Sequence, residues 1–126
     1  MTTRPLSECS GAWTGFFVQD ARRGWMKLNL LIDATKIVGE GEDLDGHFRM
    51  FGSHDSISLR VEIDKAYPWL FVDYVGVWDG SMIAGHWEIV DYMQGEFELW
   101  PLDSEEEVMK LSELFKSVHP ELMPTS

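Results

Sequence analysis

The chain has 126 residues, 44% of them hydrophobic, which is enough for one packed core and too few for two. Its 22 acidic residues against 10 basic ones leave a formal charge of −12, which argues against nucleic acid and anionic membranes as partners. One cysteine, Cys9, excludes an intramolecular disulfide, and with no signal-type or membrane-length apolar run the expected location is the cytoplasm.

Residues 1–9 read as an unpaired lead-in. The first predicted strand runs from Gly11 to Val18, with Trp13, Gly15 and Phe17 on one face, and Asp20–Gly24 is a turn. The second runs from Trp25 to Ile32, where Met26, Leu28, Leu30 and Ile32 alternate with polar positions. Asp33-Ala34-Thr35 turns the chain into a short third strand, Lys36 to Glu40, and Gly41–Asp45 forms a loop. The fourth strand spans Gly46 to Phe51, with Phe48 and Met50 facing the core.

Ser56 to Asp64 shows the cleanest alternation, with Ile57, Leu59, Val61 and Ile63 inward. Lys65–Pro68 is a connection to the sixth strand, Trp69 to Gly76. Asp79-Gly80 carries the signature of a tight type I′ hairpin. The next strand ends at Ile89, and after a loop at Val90–Gln94 the last strand covers Gly95 to Trp100. Beyond Pro101 the period changes. Ser104 and Glu107 have capping-box spacing, and Val108, Leu111, Phe115 and Val118 recur as on an amphipathic helix over about 104–117.

A turn-strand-loop-strand unit occurs twice. Asp33 aligns with Asp79, Ile37-Val38-Gly39 with Ile83-Ala84-Gly85, and Gly46-His47-Phe48 with Gly95-Glu96-Phe97. True pseudo-symmetry and the common grammar of meanders explain this about equally well. Eight alternating segments joined by short turns predict an all-β fold: an eight-stranded antiparallel up-and-down barrel with one C-terminal helix outside it, in a single domain over 1–126.

Gly11-Ala12-Trp13 at the head of the first strand resembles the Gly-x-Trp signature of the calycins, the group of lipocalins and avidins. The resemblance implies a barrel closed at one end by the tryptophan and a capacity to bind a small ligand. It carries over no binding residue, because neither the lipocalin Thr-Asp-x-x-Tyr pattern nor the biotin-holding polar set of avidins is present.

The lumen candidates are Trp13, Phe17, Tyr74, Trp87 and Phe97. The bulky rings favour a filled interior, while the inward glycines Gly15, Gly39 and Gly85 favour space. Tyr74 is the one polar group in phase with the lumen, so any ligand should be apolar or planar. Trp25, Trp69, Trp100 and Phe71 take the outer phase and are interface candidates for a homodimer, as are Phe16 and Phe51.

The acidic run Glu40, Glu42, Asp43 and Asp45 reads as a solvated turn, since neither end of a calcium-loop frame supplies a ligand. No metal-ligand spacing, nucleophile elbow or acid–base pair is evident, so no catalytic residue, metal or cofactor is assigned. The leading expectation is non-catalytic binding of a small apolar or aromatic ligand. A partner-docking or homodimerising module comes second, and an acid–base enzyme third.

Overall fold

The computed structural model describes residues 4–102. A single 3-10 turn at Leu6–Glu8 precedes eight strands: β1 (Gly11–Gln19), β2 (Arg22–Ile32), β3 (Lys36–Asp43), β4 (Gly46–His54), β5 (Arg60–Tyr67), β6 (Leu70–Trp78), β7 (Ile83–Ile89) and β8 (Met93–Pro101). Consecutive strands pair antiparallel, and β1 also pairs with β8 from Trp13↔Pro101 to Phe17↔Phe97, which closes the barrel. Closure leaves no unpaired sheet edge. The helix expected over 104–117 lies outside the described residues.

The alternation fixes which face is buried. Trp13, Met26, Leu28, Leu30, Phe48, Met50, Val61, Ile63, Val72, Tyr74, Trp87, Phe97 and Leu99 all point into the barrel and are buried. The glycines expected to favour space do not leave it: a Cβ on Gly15 would collide with Leu99, one on Gly39 with Leu30 and one on Gly85 with the Val75 backbone, and two further inward glycines are covered by rings. A Cβ on Gly24 would collide with the Phe17 ring, and one on Gly95 with the Trp87 indole. Each ring lies on the glycine directly across the ladder from it, Phe17↔Gly24 and Trp87↔Gly95. Glycine is needed there because a large ring already occupies the volume its side chain would take.

Four strand boundaries differ most from the sequence reading, and the first is β4, which runs three residues past the expected Phe51 because Gly52, Ser53 and His54 pair with Ile63, Glu62 and Val61 of β5. Ser56–Leu59 is a turn, and β5 begins at Arg60. Asp55 Oδ1 accepts the Ile57 and Ser58 backbone N–H groups at 2.7 and 3.0 Å, so those donors are lost to the ladder. Leu59 turns at a φ of 65°, and Ile57, expected inward, is 93% exposed. β3 continues through Gly41 and Glu42 to Asp43, paired with Gly46 across a two-residue turn. β5 likewise runs through the expected connection to Tyr67, which pairs with Leu70.

Smaller differences concern the hairpins. β2 starts at Arg22, because Asp20 and Ala21 both take positive φ and turn the chain in two residues. Asp79-Gly80 is part of a wider turn closed by the Asp79 N–H on the Met82 carbonyl at 3.1 Å. That turn has a twin. Asp33 N–H donates to Lys36 O, and Asp33 Oδ1 accepts from Thr35 and Lys36, while Asp79 does the same with Met82, Ser81 and Met82. The turn geometry therefore repeats where the sequence aligns, and Ile37 and Ile83 after it are both fully buried.

The N-terminal segment is not a free lead-in, since Leu6 and Cys9 are buried in the core cluster. It lies at the end of the barrel that carries the Asp33, Asp55 and Asp79 turns. Trp13 Nε1 donates to the Cys9 carbonyl and Trp78 Nε1 to the Arg4 carbonyl, both at 2.7 Å, and the two indoles pack 5.9 Å apart. His54 fastens the rim there through Nε2 on the Asp33 carbonyl at 2.7 Å. This end is plugged.

Candidate ligand-binding site at the barrel mouth

The opposite end carries the four connections at Asp20–Ala21, Leu44–Asp45, Pro68–Trp69 and Val90–Tyr92. A cavity of about 280 Å³ opens there, walled by Phe17, Tyr67, Trp69, Leu70, Trp87 and Met93, with Val72, Tyr74 and Lys65 deeper in and Asp45 and Tyr92 at the rim. Phe17 and Trp87 meet edge to face at 6.2 Å, and Trp69 stacks on Tyr67 at 5.4 Å.

At the floor is a polar cluster built on Asp43, which the sequence reading placed in a solvated turn, and on Lys65 and Tyr67, which it placed in a connection. Asp43 is fully buried, and its Oδ2 accepts the Lys65 ammonium at 2.6 Å and the Tyr67 hydroxyl at 2.5 Å. Its other oxygen takes the Asp45 backbone N–H at 2.9 Å. Lys65 is 1% exposed. Its remaining contacts are the Tyr74 hydroxyl at 3.5 Å and Met26 Sδ, a weak acceptor, at 3.4 Å. Four rings enclose the ammonium: Phe48, Phe17, Tyr67 and Tyr74, with centroids 4.4, 4.6, 5.0 and 5.6 Å away.

The strands explain how these groups meet. In β3 the inward phase Ile37, Gly39, Gly41 ends on Asp43, and in β5 Val61 and Ile63 lead to Lys65 and Tyr67. β4 lies between these strands, with Met50 opposite Lys65 and Phe48 opposite Gly41, so the ion pair spans β4 inside the barrel. Burial pulls the Lys65 ammonium below the ordinary lysine value, and Asp43 opposes that shift. Burial, then the Asp43 charge, pushes the Tyr67 and Tyr74 phenols well above the ordinary tyrosine value.

Among the described residues Tyr74 is thus one of four polar groups at the floor of the cup, and an acid and a base do stand together there. Of the five lumen candidates, Phe17, Tyr74 and Trp87 line the cup. Phe97 packs against Tyr74 at 4.6 Å without lining the cup, and Trp13 belongs to the plugged end. The interface candidates also divide. Trp25 and Trp100 form an edge-to-face cluster with Phe16, which is buried and carries the Arg23 guanidinium over its ring at 4.5 Å, so these rings cover one another. Trp69 and Phe71 remain exposed, at 67% and 65%.

Asp43, Lys65 and Tyr67 were the residues missed. Their signal was the unbroken alternation of β3 and β5, carried past residues whose polarity suggests a loop. His47 and His86 point outward on strands that do not pair, and His47 has Glu40 at 3.7 Å. No family model matches the chain, and neither a curated protein nor a solved structure matches it.

Proposed function

We propose that this barrel is a binding protein that holds one small, neutral, largely apolar or aromatic molecule in the mouth cup. The observation that carries the reading is a blind cavity of about 280 Å³ with aromatic walls and a buried polar floor. Such a cavity falls just under the roughly 300–1,000 Å³ of drug-sized pockets, which suits an occupant on the scale of one ring. Among the residues lining the cup Lys65 is the single cation, and Asp43 already meets its charge, so an anion gains little. The ligand's polar end would face Tyr67 and Lys65, and its ring would lie between Phe17, Trp69 and Trp87. The closed eight-stranded barrel is compatible with a calycin-like fold, in keeping with the Gly11-Ala12-Trp13 resemblance.

Titration with 4-nitrobenzyl alcohol, a neutral one-ring quencher, tests this reading. Saturable quenching of tryptophan fluorescence is expected, and it should fall sharply in Trp87→Phe. Quenching that stays linear to millimolar concentration, which corresponds to a binding free energy weaker than about −4 kcal/mol, refutes it.

A second reading, homodimerisation, is favoured by an outward apolar strip. Leu31, Val38 and Phe51 are aligned by register across β2, β3 and β4, and all three are exposed. A dimer held by such surfaces tightens as salt screens the charge of −12. Sedimentation that finds a monomer at every salt concentration removes this reading.

A further inference from the structure

A buried ion pair is a poor device for stability alone. Well-packed apolar residues of similar volume usually do as well or better, because two charges must be stripped of water. Here the pair sits with the Tyr67 and Tyr74 hydroxyls in a lumen lined mostly by apolar side chains, at the floor of the larger of the two end cavities, and Lys65 contributes to that cavity's lining. A lysine amine desolvated by burial is activated as a nucleophile toward carbonyl carbon, and a carboxylate and two phenols beside it can carry the protons of a condensation.

We propose that Lys65 forms a covalent iminium with a small aldehyde or ketone held in the cup. This rests on the cup reading and specifies the ligand as a carbonyl compound.

The groups present account for each proton. Lys65 gives one proton to Asp43 Oδ2, 2.6 Å away, leaving a neutral amine and a neutral acid. The amine lone pair attacks the carbonyl carbon and forms the C–N bond, while the carbonyl oxygen takes the proton from Asp43. The nitrogen then loses a second proton to the freed Asp43 carboxylate. Asp43, hydrogen-bonded to Tyr67, passes that proton to the carbinolamine hydroxyl. The C–O bond breaks, water leaves, and the protonated C=N–H⁺ linkage remains. An ammonium and a carbonyl have become an iminium and one water, with no redox change and no change in the charge of the site. The iminium stays against the Asp43 carboxylate, within the four rings that surrounded the ammonium. Those rings also limit the water that would hydrolyse it. The lowered proton affinity that burial gives Lys65 acts in the same direction, since it raises the fraction of free amine.

The test uses the full chain with 4-nitrobenzaldehyde and cyanoborohydride, read by intact mass and peptide mapping. The expected result is one adduct per chain, on Lys65, formed at least about tenfold faster than on a lysine peptide, as a desolvated amine should react. Saturating 4-nitrobenzyl alcohol should suppress it. Adducts spread over the other lysines and the N-terminus, with Lys65 unmodified, overturn the proposal. If the alcohol still quenches saturably in that case, the cup reading stands without the covalent step, and if it does not, both fail. Lys65→Met removes the nucleophile at similar volume and should leave only the slow, scattered labelling of the other amines, with no adduct at position 65. Because the mapping is made on the unaltered chain, it decides the matter whether or not that variant folds.

Discussion

At the end carrying the Asp33, Asp55 and Asp79 turns, Leu6, Cys9, Trp13, Trp78 and Ile83 fill the barrel interior, a cavity of about 190 Å³ lies between the N-terminal segment and the turns, and both indole N–H groups end on backbone carbonyls of that segment. At the end carrying the Leu44–Asp45 and Pro68–Trp69 turns, the same strands place Asp43, Lys65, Tyr67 and Tyr74 under an open cup. The first end spends its burial on stability. The second holds charges in a place where apolar side chains would stabilise at least as well. That cost lies beside the larger of the two end cavities, which is where the proposed function places the ligand.

The largest effect should come from the plug. Trp13→Ala removes the most buried tryptophan and its bond to Cys9, and should cost about 3–5 kcal/mol in chemical denaturation. A loss under about 1 kcal/mol would mean that the plug contributes little and that the contrast between the ends is false.

Next is the ion pair. Asp43→Ala strands a buried ammonium and should cost about 3 kcal/mol, whereas the double change Asp43→Leu with Lys65→Met should be nearly neutral. If the double variant is as unstable as the sum of the singles, the pair holds the fold, and the functional reading of this end weakens.

Gly24→Ala tests the cup itself. The new methyl displaces the Phe17 ring, at about 1–3 kcal/mol if the core resists. It should also abolish saturable quenching by 4-nitrobenzyl alcohol. Unchanged quenching would show that Phe17 does not set the width of the cup.

The smallest and most selective contrast is in pH. Asp33, Asp55 and Asp79 are held below the ordinary carboxylate value by backbone N–H donors, led by Thr35, Ser58 and Met82 respectively. Their contribution is present above about pH 4 and is lost as pH falls through the folded values. Tyr67 and Tyr74 are held above the ordinary phenol value, so theirs is present below about pH 10 and is lost as pH rises further. Lys65 has the opposite sign to the phenols: held low by burial, its contribution grows as pH climbs toward about 10.4. In unfolding curves against pH, Asp79→Asn should flatten the acid limb and leave the alkaline one, and Tyr67→Phe should do the reverse. Equal effects of both variants on both limbs would break the comparison.

The barrel was legible because period-2 alternation and turn residues are local signals, and β1 and β6 to β8 follow them to within two residues, while β2 and β4 each extend three residues further than expected. Ile57 misled because its alternation is real, while the Asp55 side chain takes the N–H groups that a strand would need. Cys9 and Trp78 showed no sign of their roles, since a plug is a contact between distant segments. The site was least legible. Asp43 and Lys65 are 22 positions apart on strands that do not pair, and each alone looks like a solvated charge. Only the phase of both strands, followed past Glu40 in one and past Asp64 in the other, brings them face to face.

The seam between β1 and β8 bears on how the barrel comes into being. Every other pairing joins neighbours in sequence, so seven hairpins can form early and locally, while the seam joins Gly11–Gln19 to Met93–Pro101. Loop closure of that length is the slow part of a β meander. On a ribosome the first strand must therefore wait for the last. Until Pro101 has emerged, β1 offers one unpaired edge, and the Trp13 indole has a plug but no finished ring of strands around it. Pulse-labelled hydrogen exchange during refolding should find the β1 and β8 amides that face each other protected last. Uniform protection along all eight strands would show that the ring closes in one step.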